Sequence, residues 1–120
     1  MRWKFQDHWD KVVRLAGVAR GDRHAATARV SEAMSDASAT IVDVHLFSGV
    51  LTVLGFELPP ESAQALANAL AGAGLELDDA SRRALTEVAS SRAERVEGTL
   101  AITFPDGDPD LRRDVPAVPG

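Results

Sequence analysis

Residues 40–58 read Thr-Ile-Val-Asp-Val-His-Leu-Phe-Ser-Gly-Val-Leu-Thr-Val-Leu-Gly-Phe-Glu-Leu. Two runs rich in Val, Ile, Leu, Phe and Thr, residues 40–47 and 50–58, flank Ser48-Gly49. Branched and aromatic side chains suit a pleated, half-buried surface, and two residues including Gly suit a tight connection, so the stretch predicts a β-hairpin. A two-residue turn sets Leu46 opposite Leu51, Val44 opposite Val53 and Val42 opposite Gly55 on one face. The other face then pairs His45 with Thr52, Asp43 with Leu54 and Ile41 with Phe56. The first face is wholly apolar, and the second mixes Asp43, His45 and Thr52 with Ile41, Leu54 and Phe56.

Downstream, Pro59-Pro60-Glu61 stops the second run and starts a helix, because Pro is tolerated in a first turn and acid is favoured there. Ala63, Leu66, Ala67 and Leu70 form its inward stripe, and Gly72 or Gly74 supplies a left-handed end. Asp78 is placed to cap a further helix with Leu85, Val88 and Ala89 inward, fraying near Arg95. Residues 99–104 alternate polar with apolar and predict a strand, over 98–104, before the Pro105-Asp106-Gly107 turn.

Upstream, Ala26, Val30, Ala33 and Met34 mark the inward side of a helix over 23–34, preceded by the breaker Gly21-Asp22. Phe5, Trp9, Val12, Val13, Ala16 and Ala19 fall on one helical stripe and predict a helix over 3–19. A rival reading makes residues 3–5 a short strand and starts the helix after Asp7.

This order predicts an α+β fold: a small antiparallel sheet, the hairpin 40–58 plus the strand 98–104, with helices packed on one face. It is loosely similar to a split β-α-β arrangement of the ferredoxin type, a likeness of topology that licenses no function. Residues 1–104 form one domain, and the Pro- and Asp-rich residues 105–120 an extended or disordered tail in which 111–115 is a candidate edge strand.

The chain has 120 residues, 45% hydrophobic and 26% charged, with no Cys and six aromatic rings. That length can bury a core without disulfides, and the apolar content excludes global disorder. Without Cys there is no thiol catalysis and no Cys-based zinc or iron–sulfur site. The first ten residues lack the apolar core of a secretory signal, and no stretch approaches a membrane span, so a cytoplasmic location without membrane association is expected. Residues 1–35 carry seven basic and four acidic residues, net +3, whereas residues 36–120 carry six basic and fourteen acidic, net −8. A basic segment docking on an acidic body accounts for this better than nucleic-acid binding, although Trp3, Trp9, His8 and His24 among the basic residues keep that as a third reading.

Asp43 and His45, two apart on one strand, project from the same face, and a carboxylate beside an imidazole can orient it for general acid–base work. Thr52 completes the best catalytic candidate. The same face, greasy with Ile41, Phe47, Leu54 and Phe56 and joined by the exposed Trp3, reads better as an interface. Asp106, Asp108 and Asp110 alternate like calcium ligands, but Leu111 and Ala117 stand where an EF-hand needs Gly and Glu. Phosphate-loop, dinucleotide, zincin and nucleophile-elbow motifs are missing, so no metal or cofactor is expected. The expectation is a non-catalytic module that forms a homodimer and binds a protein partner or small ligand. Its alternative is a small enzyme using the Asp43/His45 pair.

Overall fold

The structure is a computed structural model that describes residues 10–106. Strand β1 covers Asp10–Ala19, helix α1 Arg23–Asp36, β2 Thr40–Phe47 and β3 Leu51–Leu58. A single 3-10 turn over Pro60–Ser62 leads into α2, Ala63–Gly72; then follow β4, Leu75–Leu77, α3, Asp79–Ala89, and β5, Arg95–Thr103.

The five strands form one sheet in the order β2-β3-β5-β1-β4. Three of its four neighbouring pairs, β2–β3, β3–β5 and β1–β4, are antiparallel, but β1 and β5 run parallel from Asp10↔Arg95 to Val18↔Thr103. The α+β class stands, and the sheet is mixed and five-stranded rather than a three-stranded antiparallel one. The reason is β1. Its Val12-Val13-Arg14-Leu15-Ala16-Gly17-Val18-Ala19 run fits both periods, and the structure uses the period of two: Val13, Leu15, Gly17 and Ala19 are buried while Val12 and Arg14 are exposed and Ala16 and Val18 half-buried. The helix expected over 3–19 is therefore a strand from Asp10 onward, and residues 3–9 lie outside the described part.

Gly17 has no room to be anything larger. A Cβ there would lie 2.9 Å from the Glu76 carbonyl oxygen and 3.0 Å from Leu75 Cγ, so the bare backbone is what lets β4 lie against β1. Beyond the three residues of β4, Ser81 takes over its pairing role. Its hydroxyl accepts from the Ala16 N–H at 2.8 Å, while the Asp78 N–H donates to the Ala16 carbonyl at 3.0 Å. Asp78 caps α3 as expected, its carboxylate accepting from the Ser81 N–H at 2.8 Å.

One face of the sheet carries the core. Leu54, Phe56 and Leu58 of β3 and Val96, Leu100 and Ile102 of β5 are all 1% exposed or less, as are Met34, Leu66, Leu70, Leu85 and Val88 from the helices that cover them. Alternate residues, such as Leu51, Val53 and Ala101, point to the opposite face and are half-buried.

Candidate functional site

The hairpin forms, but its turn holds three residues, Ser48-Gly49-Val50, with Ser48 in the left-handed region at φ 55°. The first pair is then Phe47↔Leu51, followed by Leu46↔Thr52, His45↔Val53, Val44↔Leu54 and Asp43↔Gly55. This is a slip of one residue from the pairing that a two-residue turn imposes, and such a slip turns every side chain to the other face. A bulge at Val42 then restores Ile41↔Phe56.

The slip rearranges the residues singled out from the sequence. Asp43, His45 and Phe47 share the face turned away from the helices with Val53 and Leu51. Thr52 does not lie across from His45. It is fully buried on the helix side, opposite Leu46, and its hydroxyl makes no hydrogen bond. Leu54 and Phe56, expected on an interface face, are core residues at 1% exposure and cannot meet a partner. Ile41 is half-buried against the core, Phe47 is exposed, and Trp3 lies outside the described residues.

The Asp43–His45 pair itself is real: His45 Nε2–H donates to Asp43 Oδ2 at 2.9 Å, and the His45 and Phe47 rings stand 6.3 Å apart. Both side chains are more than half exposed. An acid–base pair needs a wall that holds substrate and excludes water, and this pair stands on an open strand without the third group assigned to it.

What distinguishes β2 is its apolar exposure. Among the described residues, the large hydrophobic side chains most open to solvent are Val12, Val42, Val44, Leu46, Phe47 and Val50, and five of these six lie between 42 and 50. Val44 and Leu46 share the helix side with their buried partners Leu54 and Thr52 yet are themselves exposed, and within β2 only Ile41, at its start, packs against the core. β2 is also the edge of the sheet, so among the described residues one row of its backbone groups has no strand partner. The register slip hid this: with a two-residue turn, Val44 and Leu46 oppose Val53 and Leu51 and read as the buried side.

A second feature lies at the other edge. A cleft of about 650 Å³ opens between β4, α2 and α3, with Val18, Leu75 and Leu77 among its apolar walls and Arg20, Glu76 and Arg82 among its polar ones. Sequence reasoning passed over it because β4 is only three residues long; its signal was the apolar-polar-apolar Leu75-Glu76-Leu77 between a Gly and a helix cap.

Among the described residues no group of three or more His, Asp or Glu side chains could hold a metal ion, and no helix is long and apolar enough to cross a membrane. Compared with protein-family models, curated proteins and solved structures, the chain has no significant match in any of the three.

Proposed function

We propose that the chain is a small, non-catalytic cytoplasmic module that forms a homodimer through β2. The observation that carries this reading is the concentration of exposed Val42, Val44, Leu46 and Phe47 on a strand that, among the described residues, has a neighbour on one side only. Natural edges are blunted by Lys, Pro or extreme shortness; this one is eight residues long, contains neither Lys nor Pro, and relies on one bulge and Asp43. Antiparallel addition of β2 to a second copy about a two-fold axis through Val44 makes a ten-stranded sheet, an isologous arrangement. It sets Val44 against Val44 of the second copy on one face and Asp43 across from His45 of the second copy on the other, where an imidazole N–H can donate to a carboxylate. A loose ferredoxin-like plan goes no further than the relative order β2-β3-β1-β4 of four strands, for β5 stands between β3 and β1.

The test is the oligomeric state by sedimentation equilibrium. The wild type is expected to be a dimer at micromolar concentration, and Leu46→Lys with Val44→Lys a folded monomer with an unchanged circular dichroism spectrum. A wild-type chain that stays monomeric at about 100 μM overturns the reading, since a specific stable interface holds well below that.

A further inference from the structure

The residues around the two-fold axis, Asp43, Val44 and His45, are the regular part of β2. They pair in turn with Gly55, Leu54 and Val53, beyond the bulge at Val42, so alternation sets Asp43 and His45 on one face and Val44 on the other. Within one chain His45 Nε2 and Asp43 Oδ2 lie 2.9 Å apart, on side chains more than half exposed. A four-coordinate ion with bonds of about 2.1 Å holds its ligand atoms roughly 3.4 Å apart. A shift of about half an ångström therefore turns this hydrogen bond into a chelate, with a metal ion in place of the shared proton.

One chain offers these two donors and no third beside them, so no single-chain metal site exists among the described residues. Two copies joined about Val44 offer four. Asp43 of each lies across from His45 of the other, and all four side chains stand on the same face of the joined sheet. Directly opposed residues of an antiparallel pair have Cβ atoms about 5 Å apart, and residues two apart on a strand are about 6.7 Å apart, so the four bound one space small enough to close on a single ion. Its surroundings are partly apolar, with Val53 beside His45 on β3 and the Phe47 ring 6.3 Å from the imidazole. We propose that the two copies share one divalent ion of the zinc type, held by two imidazoles and two carboxylates. Imidazole and carboxylate donors suit such an ion, and four protein ligands leave it no open position, so it ties the copies together and does no chemistry. The inference rests on the β2 dimer and adds a control to it: the metal sets how tightly the copies associate.

Sedimentation equilibrium of the full chain in zinc chloride and in EDTA reads the association, and cobalt(II) in place of zinc reads the geometry through the strong visible absorption of a tetrahedral ion. Zinc is expected to tighten the dimer at least about tenfold over EDTA, since the complete site exists only in the dimer. The cobalt band is expected to saturate at one ion per two chains. His45→Ala is expected to lose both effects, and His8→Ala with His24→Ala to keep both. The Val44→Lys, Leu46→Lys chain keeps Asp43 and His45 but is expected to give no cobalt band, because it does not pair. Equal association in zinc and EDTA with no cobalt band overturns the metal site and leaves the β2 dimer standing. A wild type that is monomeric at about 100 μM in both solutions removes the two together. A cobalt band in the doubly substituted monomer, or saturation at one ion per chain, overturns the sharing.

Discussion

Phe56 and Gly98 face each other across the β3–β5 ladder, and the end of the Phe56 ring fills the space a side chain at Gly98 would need. A Cβ there would lie 2.7 Å from Phe56 Cζ, 2.7 Å from Val13 Cγ2 and 2.8 Å from the Val13 carbonyl oxygen. Three strands thus meet over one missing side chain. Gly98→Ala is expected to lower stability by about 1–3 kcal/mol, since backbone and a fully buried ring must both shift. Gly72→Ala, at a helical position with nothing within 4 Å, is expected to be neutral or to gain a few tenths of a kcal/mol. Urea denaturation of both variants checks the contrast, and similar midpoints for the two would contradict it.

The junction of α3 with β1 predicts a hydrogen-bond loss and a pH effect. Ser81→Ala leaves the Ala16 N–H without its acceptor, at a cost of about 1–3 kcal/mol in a thermal or chemical melt. Hydrogen bonds from Ser81, side chain and then backbone, hold the Asp78 carboxyl below its ordinary value of 3.8. A carboxyl lowered by folding contributes stability that is fully present above its unfolded value and is lost as pH falls through the folded one. The stability gap between wild type and Asp78→Ala is therefore expected to be constant near neutrality and to narrow below about pH 4. A gap that does not change down to acid unfolding would count against the cap as the source.

Thr52 is fully buried with an unpartnered hydroxyl. Thr52→Val keeps the shape and removes the unsatisfied group, so it is expected to raise stability by about 1 kcal/mol. A lower melting temperature in the variant would show that the hydroxyl finds a partner in solution.

The Asp43–His45 pair is expected to contribute little to the fold, because both groups are more than half in solvent. A double-mutant cycle of Asp43→Ala and His45→Ala, measured in the Leu46→Lys chain, is expected to give a coupling below about 0.5 kcal/mol. A coupling several times larger would mean that the pair is shielded from water.

The central hairpin, α1, α2, α3 and β5 were legible because each carries a local chemical signal: Pro60 in the first turn before α2, Asp78 at the start of α3, alternation through residues 99–104. β1 was not, because its apolar residues satisfy a helical and an extended period alike, and the choice is made by β5 and β4 on either side of it. Gly17 was the clue, a poor helix residue that the strand needs for close approach. The candidate site was half legible. Asp43 and His45 come together from their spacing alone, whereas Thr52 was lost to one extra turn residue, Val50, whose effect is nonlocal.

The parallel pairing of β1 with β5 has a consequence for how the chain is assembled. Among the described strands β1 leaves a ribosome first and β5 last, and the sheet bonds of the hairpin reach β1 only through β5. Until β5 slides between them, the hairpin on one side and the β1–β4 pair on the other are two half-sheets with open seams. Closing those seams joins segments at opposite ends of the described chain, the kind of contact that slows folding. Vectorial synthesis therefore gives the described strands two separate half-sheets first: β5 is their keystone, and the single sheet locks only when the keystone arrives.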